Sequence, residues 1–158
     1  MNRVTLSSQR SDWETPHRFF DALNAEFGFT LDACASDETA KCATYFTPDN
    51  DALSQPWDGV VYCNPPYGYQ IGKWVAKCHW EARRGSIVVG LIPAKTETRW
   101  WHEHVMAANE IRLIRGRLRF SGSQVNAPFP SAVVVWRPDV SAVRFTTMDR
   151  ILDVVGAA

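Results

Sequence analysis

The sequence has no apolar run long enough to cross a membrane. Its longest uninterrupted apolar stretch is Ile87–Pro93, whereas a membrane-spanning helix needs about 20 apolar residues. Residues 1–13 are polar and lack the apolar centre of a signal peptide. These absences predict a protein of the cytoplasm that has no transmembrane helix, no export signal and no membrane partner.

Paired cysteines and metal-ligand clusters are also missing. The chain has four cysteines and no CxxC pair: Cys34, Cys42, Cys63 and Cys78. That spacing predicts reduced thiols and no structural zinc. His102 and His104 are two residues apart, so they do not share a helix face. We therefore predict no metal site.

The chain carries no net charge, but its charges are unevenly distributed. Residues 1–58 contain ten acids and four bases, and residues 59–158 contain seven acids and thirteen bases. Such a polarised chain suits an acidic region that holds a cationic ligand and a basic region that faces phosphate. With 158 residues, the chain has the length of one domain, which we predict over residues 1–158 with a loose arm at 1–11.

The most informative stretch is residues 60–67, in which an apolar run ends in Asn-Pro-Pro-Tyr. The run predicts a buried strand, and the two prolines stop the sheet ladder because they have no N–H to donate. The side-chain oxygen of Asn64 and the carbonyl of Pro65 are then two acceptors at the carboxyl end of a strand, where open α/β sheets bind ligands. They suit the exocyclic amine of an adenine swung out of a duplex, with Tyr67 as a flat stacking surface.

Apolar periodicity predicts an α/β fold around this strand. Helices are predicted over residues 16–27, with Thr15 as cap and Pro16 in the first position, and over 71–82 and 96–108. Strands are predicted at 29–31, 60–63, 86–93, 111–114 and 132–136, the last in an antiparallel hairpin, with a further short strand possible at 43–47.

Acidic and basic residues near these strands are candidates for ligand contact. Asp32 is followed by the small residues Ala33 and Cys34 at a strand end, where a ligand can approach closely. In residues 115–120, arginines alternate with apolar residues, so one side of the segment is basic and suits phosphate. An equally open alternative to phosphate contact is a half-exposed strand whose basic face is simply solvated. The arginines are Arg115, Arg117 and Arg119.

The order and content of these motifs resemble the small phage and prophage DNA N6-adenine methyltransferases (Dam-like). The segments that carry the resemblance are residues 12–16, 31–36, 50–53, 63–67, 116–117 and 127–131. The resemblance covers residues 12–137, and its specific element is Asn-Pro-Pro-Tyr at 64–67. The glycine usual in the first cofactor motif is replaced by Ala35 and Ser36.

The resemblance implies a Rossmann-like methyltransferase fold, with a mostly parallel twisted sheet, a C-terminal antiparallel strand and trimmed helices. It implies S-adenosylmethionine as methyl donor, S-adenosylhomocysteine as product, DNA as partner and the cytoplasm of a bacterial host cell as location. It implies four catalytic residues, Asn64, Pro65, Pro66 and Tyr67. The implied cofactor contacts are Thr15, Pro16, Asp32, Ala33, Cys34 and Asp51, with Asp49, and Glu38 behind it, as the candidate for the ribose acid.

Tyr67, Arg115, Arg117 and Arg119 are the expected DNA contacts. No separate target-recognition domain is predicted, so a short target or a homodimer is expected. Two alternatives remain open at this point. One keeps the cofactor and methylates RNA or a protein glutamine amide, and the other is a non-catalytic nucleic-acid-binding module of the same fold.

Overall fold

A computed structural model describes residues 13–151, so the predicted arm at 1–11 lies outside the described residues. Within this range the chain forms a six-stranded sheet in the order β1-β2-β3-β5-β4-β6. The strands are β1 Leu31–Asp32, β2 Val60–Cys63, β3 Ile87–Pro93, β4 Glu110–Arg115, β5 Ser131–Trp136 and β6 Arg144–Asp149. The two α-helices are α1 His17–Phe27 and α2 Ile71–Arg83, and the predicted α/β class is confirmed.

Strand directions place one reversed strand inside the sheet. β1, β2 and β3 pair in parallel, and β4 pairs in parallel with β6. β5 pairs antiparallel with both β3 and β4, which confirms the predicted hairpin. The antiparallel strand β5 is therefore internal to the sheet and is the next-to-last strand in the chain. The last strand, β6, runs in the same direction as the other four, whereas the antiparallel strand was expected at the C-terminal end.

The helices cover opposite faces of the sheet. α1 buries Phe19, Phe20 and Leu23 against one face. α2 packs on the other face, where Val75 and Cys78 are buried. Both helices follow the predicted apolar periodicity. α1 ends at Gly28, whose φ of 66° is left-handed and whose N–H donates to the Asn24 carbonyl at 2.8 Å.

Several predicted boundaries are wrong for local reasons. β1 begins at Leu31 instead of 29, because the Phe29 N–H still caps α1 through the Asn24 side chain. The possible strand at 43–47 is reduced to one isolated bridge between Asp32 and Tyr45. The helix predicted over 96–108 is the short π-helix Trp101–Val105, in which Met106 N–H bonds back to the Trp101 carbonyl.

Two further corrections concern strands. β4 stops at Arg115, and Gly116 with φ of 80° turns the chain, so residues 117–120 are not a strand. Their burial still alternates as predicted, with Leu118 and Phe120 buried and the arginines exposed. β6 was not predicted, because it lies at the sheet edge and has no buried residue in its pattern.

Candidate functional site

The predicted site residues lie along one edge of the sheet, the edge formed by strand ends and not by an outer strand. Five strands run in the same direction, so the carboxyl ends of β1, β2, β3 and β4 reach this edge, and the reversed β5 begins there. The loop after each strand and the loop before β5 meet at this edge. Parallel α/β sheets bind ligands at this position. Asp32, Asn64 and the arginine segment 115–119 all lie at strand ends here.

Asn64 comes directly after β2, and its amide is held at the nitrogen end only. The Nδ2 group donates to the carbonyl of Trp13 and, at 3.1 Å, to Oγ1 of Thr15. The Oδ1 atom is buried and has no hydrogen-bond partner within residues 13–151. Leaving a buried acceptor unpaired costs about 1–3 kcal/mol. A donor that reached this oxygen would recover that free energy.

Thr15 lies beside Asn64 and does not cap α1 as predicted. Pro16 is the N-cap residue, and no side chain caps the helix. Thr15 is a buried residue that is 2% exposed, and its hydroxyl bonds instead to the hydroxyl of Tyr62. The predicted pair of Thr15 and Pro16 is therefore buried next to the Asn-Pro-Pro-Tyr loop.

The proline residues of the loop are stiff, and Tyr67 is anchored. Pro65 is buried, Pro66 is half-buried, and the Tyr67 hydroxyl donates to the Leu91 carbonyl at 3.1 Å. The Tyr67 ring meets Phe120 and Phe129 at interplanar angles of 84° and 74°. Among the rings that the structure describes, none is stacked parallel on Tyr67. No described ring therefore competes with a base for a parallel contact with the Tyr67 ring.

An aromatic cluster of four residues forms the wall of this site. Its members are Trp13, Tyr67, Phe120 and Phe129. Trp13 lies 5.3 Å from Phe120 and 5.5 Å from Phe129 between ring centroids. Sequence reasoning quoted the segments around Trp13 and Phe129 but assigned no role to either residue. The available signal was an aromatic residue within each of the two motif segments, residues 12–16 and 127–131.

Asp32 is buried at the carboxyl end of β1 and organises the turn that follows. Its two carboxylate oxygens accept the backbone N–H of Cys34 at 3.2 Å and of Lys41 at 3.1 Å. Burial raises the pKa of the Asp32 carboxyl to about 6, and those two N–H groups oppose the rise. Ala33 is fully buried. Burial also raises the pKa of the half-buried Cys34 thiol to about 12, so this cysteine stays a neutral thiol.

We expect Asp32 to make the free energy of unfolding fall as the pH rises from about 4 to about 6. The folded state holds the carboxyl proton more tightly than the unfolded state, so the stabilisation is complete below the unfolded pKa and is lost through the folded pKa. Each pKa unit corresponds to about 1.4 kcal/mol. Chemical denaturation at several pH values should show this slope for wild type and a flatter one for Asp32→Asn. Equal slopes would contradict the expectation.

The exposed acids lie on the loop that runs beside β1. The Phe46 N–H bonds to the Asp32 carbonyl and the Ala35 N–H to the Phe46 carbonyl, so the following residues 47–51 adjoin the turn after β1. Asp49 and Asp51 are exposed there. Asp51 has a left-handed φ of 48° between two 3-10 turns, a conformation uncommon outside glycine. Glu38 is exposed in the turn itself.

The three predicted arginines are exposed around the turn that follows β4. Arg115 is 3.7 Å from Asp149 in a solvent-exposed ion pair. Arg117 donates weakly to the Ala127 carbonyl at 3.5 Å. Arg119 lies between the buried Leu118 and Phe120. Since Phe120 belongs to the aromatic cluster, this basic segment adjoins the Asn64 site. Sequence reasoning missed Arg150, which donates to the Arg117 carbonyl at 3.2 Å.

Two kinds of feature are absent from residues 13–151. No helix in this part of the chain is both long and apolar enough to cross a membrane. The same residues contain no group of three or more histidine, cysteine, aspartate or glutamate side chains that could hold a metal ion.

The chain is similar to two phage proteins named as DNA N-6-adenine-methyltransferases and to a putative bacterial methyltransferase. A DNA N-6-adenine-methyltransferase of Haemophilus phage HP1 is 30% identical over 111 residues, which cover 68% of this chain and 64% of the relative. One from Escherichia phage T1 is 29% identical over 117 residues, 72% of this chain and 49% of the relative. The putative methyltransferase YfdM of Escherichia coli is 38% identical over 70 residues, 39% of this chain and 77% of the relative.

The chain thus spans less than two thirds of the length of either phage relative. The sequence profile of the DNA N-6-adenine-methyltransferase (Dam) family matches residues 2–151, which is nearly the whole chain. This match confirms the resemblance seen in the motifs. The chain belongs to the DNA N-6-adenine-methyltransferase (Dam) family.

Proposed function

We propose that the chain transfers a methyl group from S-adenosylmethionine to N6 of an adenine in DNA. The observation that carries the proposal is the buried, unpaired Oδ1 of Asn64 at the carboxyl end of β2, beside the aromatic cluster. An unpaired acceptor and an aromatic wall are the two features that a flipped base with an exocyclic amine requires. Family membership supports the same reaction.

The chemical problem is the weak nucleophilicity of the adenine amine. Its lone pair is delocalised into the ring, so the nitrogen must become more tetrahedral before it can attack. Asn64 Oδ1 and the Pro65 carbonyl accept the two amine hydrogens in our proposal. Both acceptors stabilise the positive charge that develops on the nitrogen, and both are already oriented by the protein. Tyr67 stacks on the base and holds the amine against them.

The methyl donor fits the acidic side of the site. S-adenosylmethionine supplies a methyl group already activated on a positively charged sulfur, and it also carries an ammonium group. Asp32 is a buried carboxylate at the end of β1, and the loop beside it exposes Asp49 and Asp51. These acids, with Pro16, Ala33 and Cys34, are the residues that we assign to the donor. Thr15 was also expected to contact the donor, but its hydroxyl is already bonded to Asn64 and Tyr62, so we leave it out of this assignment. S-adenosylhomocysteine is then the product, and no metal takes part.

The sheet supports a finer fold assignment. We assign it to the Rossmann-like methyltransferase class because five strands share one direction and a reversed strand lies between two of them. The segment between β1 and β2 contains the 3-10 turns Pro48–Asn50 and Ala52–Ser54 in place of a long helix. This is the trimming that the motif spacing predicts.

DNA backbone contact is assigned to Arg115, Arg117 and Arg119. We expect Arg117→Gln with Arg119→Gln to weaken DNA binding about 3- to 10-fold at moderate salt, and to reduce the slope of log affinity against log salt by about one per lost phosphate contact. Fluorescence anisotropy with a labelled duplex at several salt concentrations measures both. Arg84→Gln is the matched control, because that exposed arginine is paired with Glu81 and follows the end of α2, near the amino end of β3. An unchanged salt slope would contradict the assignment.

The reaction is tested by mass spectrometry of nucleosides from plasmid DNA. The chain is expressed in a host without adenine methylation of its own, beside Asn64→Ala. N6-methyladenine in the wild-type sample alone supports the proposal. Folded protein that binds the donor but modifies only RNA or a protein glutamine overturns the substrate assignment. Folded protein that does not bind the donor overturns the reaction and favours a nucleic-acid-binding module.

A further inference from the structure

The two ends of the Asn64 amide are nearly equal in shape but opposite in hydrogen-bonding character. The oxygen accepts and the nitrogen donates. Only one orientation presents an acceptor to an amine substrate. A half-turn of the side-chain amide would present a donor instead and would repel the amine hydrogens. The enzyme therefore needs a device that selects the orientation.

The carbonyl of Trp13 supplies the first part of that device. It receives a hydrogen bond from Asn64 Nδ2. If the amide turned over, two oxygen acceptors would face each other in a part-buried site, and both would lose their hydrogen bonds. A buried unpaired polar group is costly, so the Trp13 carbonyl disfavours the wrong orientation.

Thr15 and Tyr62 supply the second part. Thr15 Oγ1 accepts from Asn64 Nδ2 at 3.1 Å and shares a hydrogen bond with the Tyr62 hydroxyl. Tyr62 is 1% exposed, and its ring packs against Phe20 and Phe29 at 5.0 and 5.2 Å between centroids. Burial raises the pKa of the Tyr62 hydroxyl well above its usual range. Tyr62 is therefore a fixed, neutral partner for Thr15.

The segment that carries the Trp13 carbonyl is itself held from two sides. Glu14 Oε1 accepts from Lys41 Nζ at 2.8 Å, and the Lys41 side chain is 6% exposed. The Glu14 carbonyl accepts the Ser121 N–H at 3.0 Å. Both contacts lie outside the Asn-Pro-Pro-Tyr loop, and together they fix the position of the Trp13 carbonyl.

We propose that Tyr62, acting through Thr15, and the Trp13 carbonyl are positioning groups that hold the Asn64 amide with its oxygen towards the substrate amine. The proposal rests on the proposed function. Neither Tyr62 nor Trp13 touches the reacting atoms. Each acts by keeping Asn64 Nδ2 in hydrogen bonds within the protein, so that Oδ1 is left to accept a hydrogen bond from the substrate.

The first test removes hydroxyl groups. We expect Tyr62→Phe to lower kcat for DNA methylation about 5- to 10-fold with little change in KM for donor or DNA. Thr15→Val should lower kcat at least as much, and the double variant should be no worse than Thr15→Val, because both act through one contact chain. Tyr45→Phe is the matched control, since its hydroxyl bonds to Asp37 in an exposed contact and not to Thr15 or Asn64. Unchanged kcat in Tyr62→Phe would overturn the proposal.

The second test uses Asn64→Asp and pH. An ionised aspartate would set an oxygen against the Trp13 carbonyl, whereas a protonated one can donate to it and still present an acceptor. We expect the activity of Asn64→Asp, relative to wild type, to rise as the pH falls from 8 to 5. A merely space-filling role for this contact predicts no such rise. Full activity of Asn64→Asp at pH 8 would overturn the proposal.

The third readout needs no catalysis, which separates failure of this inference from failure of the proposed function. In ¹⁵N spectra, the Asn64 side-chain NH₂ should be protected from hydrogen exchange in wild type and Tyr45→Phe. The protection should fall at least several-fold in Tyr62→Phe and Thr15→Val. Equal protection in all four proteins would overturn the positioning role even if DNA is methylated. Loss of protection in a chain that methylates nothing would support the role and reject the reaction.

Discussion

Asn64→Ala is expected to lower kcat for DNA methylation by about 100- to 1,000-fold, the cost of removing one preorganised group that stabilises developing charge. The variant loses the Oδ1 acceptor and keeps the Pro65 carbonyl. Donor binding should stay within about 2-fold of wild type, because Asp32 lies on β1 and the exposed acids lie on the loop beside it. Single-turnover transfer of labelled methyl to DNA and calorimetry of donor binding measure the two effects separately.

The structure also predicts that Asn64→Ala stays folded. The change removes a buried acceptor that has no partner in residues 13–151, together with two donated hydrogen bonds. Thermal unfolding provides the control for folding. An Asn64→Ala enzyme with near-normal kcat would show that the amine is activated elsewhere, and it would reject the mechanism while leaving the family assignment intact.

Tyr67→Ala should lower kcat/KM for DNA about 10- to 100-fold, because stacking of a base on an aromatic ring contributes about 1–3 kcal/mol. Tyr67 contacts Phe120 and Phe129 edge to face and offers no parallel contact to either. In our proposal its face stacks on the flat target base. A duplex with a mismatch at the target adenine should restore part of the loss, because such a base costs less to unstack.

Tyr67→Phe is the matched control for this prediction. It keeps the ring and removes only the hydrogen bond from the Tyr67 hydroxyl to the Leu91 carbonyl. We expect an effect below about 5-fold, consistent with the net value of one hydrogen bond, which is about 1 kcal/mol. A loss in Tyr67→Phe equal to that in Tyr67→Ala would assign the role of Tyr67 to its hydroxyl and contradict stacking.

Elements with strong local signals could be predicted from the sequence. β2, β3 and β5 are apolar runs that end at prolines or polar turns, and both α-helices have a continuous apolar face. Burial follows directly from such patterns. The Asn-Pro-Pro-Tyr motif could be placed at a strand end for the same reason, because the prolines have no N–H to continue the ladder.

Elements that depend on distant neighbours could not be predicted. β6 contains only exposed and half-buried residues, and it forms a strand because its backbone pairs with β4. Trp101, Val105 and Ala108 are buried, as the periodicity predicts, but only Trp101–Val105 is helical and the chain turns after it. The internal position of β5 is likewise a property of pairing between strands far apart in sequence.

The sequence by itself determined the class of fold, the family and the two acceptors at the end of β2. Only the tertiary structure decided what Thr15 does: a helix cap is its local preference, and a buried Tyr62 hydroxyl 47 residues away captured it instead. The tertiary structure also decided which end of the Asn64 amide is left without a partner among the described residues. The amide oxygen and nitrogen are attached to the same carbon, so the sequence does not select an orientation. The Trp13 carbonyl selects it, because folding places this acceptor where the amide must donate.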